Sequence, residues 1–209
     1  MVIVNILSDT GLFEWVAIVL ARKSRGNGLM IVGFLLAVTA VFSAFLDNVT
    51  TVILIAPITI LLMQILELPA TPVLILEAIF SNIGGTATLV GDPPNILIGS
   101  QTRLDFNAFL IHLGPVVLLI LIIMMLLVIG LFRSRLSTEE KARKRVMKAQ
   151  PHLAITNPRA LKRALPVFGL VLAGFFLGRQ LEIEPGIVAL TGAFLMVLVS
   201  KADPHKVVA

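Results

Sequence analysis

The chain has no cysteine, so it can form neither a disulfide framework nor a thiolate metal site, and its redox compartment leaves no mark. Charge is also scarce. Of 209 residues only 14% are charged, while 57% are hydrophobic. A soluble domain carries about 25% charged and about 45–50% apolar residues. So few charges cannot cover a water-exposed surface, so most of this surface must face lipid or other buried helices, and a soluble enzyme is excluded. The three histidines, His112, His152 and His205, lie far apart and lack zinc-ligand spacing. Nucleotide and nucleophile motifs are missing as well: GxGxxG and GxSxG do not occur, and Gly91 is followed by Asp92 where a phosphate-binding loop needs Lys.

The charges that are present are unevenly placed. The net charge is +5, and ten of the seventeen Lys and Arg residues fall between Arg133 and Arg163. No aromatic residue interrupts that stretch, so it offers no stacking platform for bases, and nucleic acid is not an expected partner. A basic cytoplasmic loop over residues 133–160, obeying the positive-inside rule, accounts for it.

Long apolar runs supply the architecture: an all-α, polytopic membrane protein. Leu113–Phe132 is twenty residues without a charge, which matches a hydrocarbon core of ~30 Å. Leu161–Gly178 and Pro185–Ser200 form two further expected spans. Their short acidic connector, Arg179–Glu184, suits the outer side, and Lys201 and Lys206 return the chain to the positive side. At the start, Val2–Leu7 is too short to cross, and Ser8-Asp9-Thr10-Gly11 interrupts it. Leu12–Lys23, about 18 Å as a helix, carries Trp15 midway and ends on Arg22, Lys23 and Arg25. Residues 1–27 are therefore read as an interfacial amphipathic helix preceded by the tail of a truncated one.

Two segments carry the chemistry. Gly28–Leu66 would measure about 58 Å as one helix, roughly twice the bilayer. At its centre lies the polar knot Ser43-Ala-Phe-Leu-Asp47-Asn48-Val-Thr50-Thr51. Two crossing helices or a re-entrant hairpin both satisfy that pattern. The helix beginning at Val73 then meets Ser81-Asn82-Ile-Gly84-Gly85-Thr86-Ala-Thr88-Leu-Val-Gly91-Asp92-Pro93-Pro94-Asn95, whose three glycines and two prolines no helix accommodates. Residues 73–102 are predicted to be a discontinuous helix that resumes after Asn95. Unwound backbone at membrane depth survives only where protein, water or substrate reaches it, and the half-helix ends offer dipoles and free backbone groups to ions.

These two segments, SAFLDNVTTVILIAPITI and SNIGGTATLVGDPPNILIGS, closely resemble the ion transporter superfamily of arsenite pumps, NhaD-type sodium/proton antiporters and citrate-transporter-like permeases. The match lies nearest the branch of the melanosomal P protein. It covers residues 1–132 well and the remainder only in layout. The resemblance implies an inverted-repeat secondary transporter with a re-entrant hairpin over residues 28–66, the broken helix and the span 113–132 forming the first-repeat core. Residues 161–209 would be the first two helices of a second repeat whose remainder is missing. It also implies elevator-like movement, a homodimer in the full-length protein, and residence as a multi-pass protein of the plasma (inner) membrane. By position in the motifs, Ser43, Asp47, Asn48, Thr50 and Thr51 would line the hairpin side of an ion or substrate site. Gly84, Gly85, Thr86, Thr88, Asp92 and Asn95 would line the other side. No cofactor is expected beyond a coupling ion, Na+ or H+, with Na+ held near Asp47, Asn48 and Asn95.

Each residue also has a plainer reading. Asp47 and Asp92 could cap helices in aqueous turns, Asn48, Thr50 and Thr51 could cap the hairpin's second helix, and Gly84 and Gly85 could serve only close approach. His112, with no acidic neighbour, reads as an interfacial residue. Function is expected to be secondary active transport of a small ion, anion or cation, across the lipid bilayer, without enzyme activity. Two rivals remain. An intramembrane aspartyl protease would use Asp47 and Asp92, but Leu89 stands where its GxGD motif needs glycine. A passive channel fits occluding half-helices poorly.

Overall fold

The computed structural model describes residues 2–200 apart from 103, 137, 139, 149, 179 and 182. Lys201 and Lys206, expected on the positive side, lie outside the described residues with His205, as do Arg179 and Glu182 of the connector. The described residues form helices and turns, with no strand among them. This all-helical chain, with apolar helices suited to spanning, has the character of an integral membrane protein.

Helices α1 (Val2–Asp9) and α2 (Leu12–Lys23) are bent by 58° where the sequence breaks at Thr10–Gly11. Gly11 has φ 78°, and any side chain there would meet the Ala154 backbone, so glycine is required twice over. Helix α3 (Gly28–Ser43) is capped by Asn27, whose side chain accepts from Met30 N at 3.3 Å. Helix α4 (Asn48–Leu66) starts five residues after Ser43 and is closed by Glu67, whose backbone is left-handed. Helix α5 (Ala70–Gly85) packs against both α3 and α4, completing a three-helix core in which Ile31, Leu35, Leu36, Met63, Val73 and Phe80 are buried.

After the loop, α6 (Pro93–Thr102) and α7 (Phe106–Phe132) follow. The prolines do not stay outside α6 as flanks. They are its first two residues, where a missing N–H costs nothing, so the helix resumes at Pro93 rather than after Asn95. Asp105 caps α7 at 2.8 Å from Ala108 N, which moves the start of that helix from Leu113 back to Phe106. Along α7 only Phe106, Phe109, Val117 and Val128 are buried, and most of its other apolar side chains are exposed, as a lipid-facing helix requires.

The basic stretch is more structured than a loop. It holds α8 (Glu140–Lys148) and a 3-10 turn, Pro151–Ala154. Arg145 pairs with Glu67 at 2.7 Å, Thr138 Oγ1 donates to Gly26 O at 2.9 Å, and Thr156 N donates to Thr10 O at 3.1 Å. The basic segment therefore lies along α2 and the α4–α5 turn, gathering Arg22–Arg25 and α8 at one end of the bundle. Helices α9 (Pro158–Leu177) and α10 (Pro185–Ser200) pair with each other and with α1, at Gly192 beside Val171 and Ile3. Phe106 stacks on Phe175 at 5.7 Å, and Asn107 Nδ2 donates to Phe176 O at 2.8 Å. These contacts hold the start of α7 against the last turn of α9.

Candidate functional site

Four helix ends converge where the chain is least regular. The C-termini of α3 and α5 and the N-termini of α4 and α6 meet around Ala44–Asp47 and Thr86–Asp92. Two ends present carbonyls and negative dipole, and two present N–H groups and positive dipole. Close approach of the backbones allows this. Gly84 lies against the Ala40 backbone of α3, and a Cβ on Gly85 would stand 2.8 Å from Gly91 O and 3.2 Å from Ser43 Oγ.

Every site residue named from the sequence lies in this junction. Ser43, buried, is 3.1 Å from Ser81 Oγ, and that serine donates to Asn48 O at 2.9 Å. Asn48 Nδ2 donates to Asn82 Oδ1 at 2.7 Å and reaches Asp92 Oδ1 at 3.5 Å. Asp47 Oδ1 caps α4 by accepting from Thr50 N at 2.8 Å, and Thr51 Oγ1 donates to Asp47 O at 2.9 Å. The plain capping role of Asp47 is thus present, while Thr51 bonds back to a carbonyl one turn earlier, and together they set the tip in a fixed shape. Thr50 and Thr51 are both buried.

Across the junction, Thr88 Oγ1 donates to Ala44 O and accepts from Gly91 N at 3.1 Å, joining loop to hairpin. Thr86 Oγ1 bonds back to Asn82 O at 2.9 Å. Asn95 is buried and turned inward, its Nδ2 donating to Thr86 O at 3.2 Å and Thr88 O at 2.9 Å. Its amide braces the loop. Asp92 O accepts from Asn95 N at 3.0 Å, so the residue starts α6 through its backbone while its carboxylate stays near Asn48. The donor set is oxygen-rich and holds no histidine, which suits a small hard cation rather than a transition metal. Among the described residues no group of three or more His, Asp or Glu side chains could hold a metal ion. His112 is exposed, with Nδ1 2.7 Å from Ala108 O of its own helix.

Three participants were not foreseen. Ser81 and Asn82 lie in the quoted motif, but their reach across to Asn48 depends on α5 lying between α3 and α4. Glu77, one turn earlier on α5, is fully buried and accepts from Thr59 Oγ1 of α4 at 2.5 Å. A single acidic residue inside an apolar helix was the available signal, outside both polar breaks. Beyond the loop, a cavity of ≈450 Å³ is lined by Leu89, Gly99, Asp105, Phe175 and Glu184, among others.

The sequence pattern of the family described as citrate transporter matches residues 1–209. A 46 kDa membrane protein of Mycobacterium leprae is 41% identical, covering 97% of this chain and 47% of that protein. An uncharacterized transporter of Mycobacterium tuberculosis is 44% identical over 96% of this chain and 46% of its own length. The P protein of Homo sapiens is 44% identical over 59% of this chain and 15% of its own. The chain spans about half the length of the mycobacterial relatives it matches.

Proposed function

Because this chain belongs to the citrate transporter family, we propose that it supplies one repeat's worth of ion site to a secondary active transporter. The observation that carries this reading is the meeting of four helix ends at one oxygen-rich junction. Such ends bind dehydrated ions without a fixed counter-charge, and discontinuous helices serve transporters in this way. The carbonyl ends favour a cation such as Na+ near Asp47 and Asn48, and the N–H ends favour an anion such as a carboxylate. Citrate is the substrate that the family's description carries, and transport coupled to Na+ or H+ is the mechanism proposed here.

Lengths support a re-entrant hairpin. From the basic end of the bundle, the 16 residues of α3 reach about 24 Å and the 27 residues of α7 about 40 Å. The hairpin tip thus stops well inside the span of α7. The position of α2, held at both ends by the basic segment, supports an interfacial helix on the cytoplasmic face. The proposal extends to a second repeat, a homodimer and residence in the plasma membrane.

The test is flux into liposomes under a sodium or proton gradient. The 209-residue chain co-reconstituted with a second-repeat half from a full-length relative should give saturable, gradient-driven uptake. Uptake that rises without saturation would identify a passive channel instead and overturn the reading.

A further inference from the structure

We propose that Glu77 is the proton-binding group of this protein, carrying H+ in a pair with Thr59 and coupling its charge to the ion junction one helix turn away; this rests on the transport reading above. Glu77 is fully buried, Oε1 accepts from Thr59 Oγ1 at 2.5 Å, and Oε2 is buried with no hydrogen-bond partner among the described residues. A carboxylate in that position needs a cation or a proton. The helices packed against α5 provide no cation. Helices α3 and α4 contain no ionisable side chain, α5 has none besides Glu77, and α7 has only His112, exposed and bonded to its own helix. The other ionisable groups that frame α4 and α5 lie at the helix ends: Asp47 and Asp92, both acidic, at the junction, and Glu67, already paired with Arg145 at 2.7 Å, at the basic end. An anion buried without a partner is far more costly than a neutral acid, so the group takes up one proton on one carboxylate oxygen and stays neutral. Ionisable residues at such depth mark proton and ion pathways.

The coupling follows from position. Glu77 and Ser81 are four residues apart and share a face of α5, about 6 Å along the axis. Ser81 is the residue that holds Asn48 O and Ser43. Thr59, the other half of the pair, is on α4, whose first residue is Asn48. The two helices that hold the proton site therefore also frame the ion junction. Losing the proton would leave a bare charge between α4 and α5 that only water or a cation could relieve. The packing of those helices, and with it the contact of tip and loop, would loosen.

Infrared difference spectroscopy of the 209-residue chain in lipid, titrated with pH, tests this without requiring transport. The wild type should show the carbonyl stretch of a protonated carboxylic acid, lost on alkalinisation. Glu77→Gln should lack the band, while Asp47→Asn should keep it. The Gln amide oxygen still accepts from Thr59, so that variant should insert normally. Thr59→Val, which keeps the shape and removes the donor, should shift the band and secures the test if Glu77→Gln misfolds. A wild type with no such band, a band that survives in Glu77→Gln, or a band removed by Na+ at constant pH would each overturn the proposal. Absence of flux with the band present would instead count against the transport reading.

Discussion

Asp47 holds two roles that two substitutions separate. Its Oδ1 caps α4, and its negative charge stands where four helix ends meet. Asn caps nearly as well as Asp, whereas Ala removes the cap at a cost of about 1 kcal/mol. Asp47→Asn should therefore leave expression and thermal stability in detergent nearly unchanged and strongly reduce ion-coupled flux in the two-repeat protein. Asp47→Ala should lower both. Wild-type flux with unchanged ion dependence in Asp47→Asn would make the residue a turn element only. At this scale the sequence was partly legible. Polar side chains inside two apolar segments announced the junction residues, because each such group at membrane depth demands a partner. The role of Glu77 is not legible in the sequence, because its partner Thr59 is eighteen positions away and only the packing of α4 on α5 brings them together.

Helices were legible where their punctuation is local. The break at Thr10–Gly11, the loop between α5 and α6 over Thr86–Asp92 and the helix Pro185–Ser200 all follow from glycine, proline and charge. Helix starts differ from hydropathy where a cap precedes the apolar run: Asp105 and Asn157 begin α7 and α9 ahead of Leu113 and Leu161. Helix α8 was hidden by its charge, since its stability draws on the Glu140–Lys144 pair, on Arg145–Glu67 and on docking, none of which hydropathy records. The Gly pair makes the most specific prediction at this scale. Gly84 lies in α5 against the Ala40 backbone, which cannot move aside as a flexible side chain would. Gly84→Ala should force α3 and α5 apart, destabilise the chain by about 1–3 kcal/mol and lower its unfolding temperature in detergent. An Ala variant as stable as wild type would show that α3 and α5 are not in backbone contact.

At the scale of the whole molecule, charge and length fixed one axis. Arg22–Arg25 and α8 gather at one end, and the start of α7 and the end of α9 lie at the other. The order of helices along that axis could be read from hydropathy. Their lateral arrangement could not, because apolar helices of similar composition have no sequence-encoded choice of neighbour. The insertion of α5 between α3 and α4 is the result that hydropathy left open, and it makes one junction out of two distant motifs. The most direct test of that junction is cross-linking of Asn48→Cys to Asn82→Cys in native membranes, made clean by the absence of native cysteine. The pair Asn107→Cys and Phe176→Cys, between α7 and α9, serves as the control. A short thiol-to-thiol reagent should link residues 48 and 82 within one chain, and the coupling ion should slow the reaction. A control pair that links while 48 and 82 do not would contradict this.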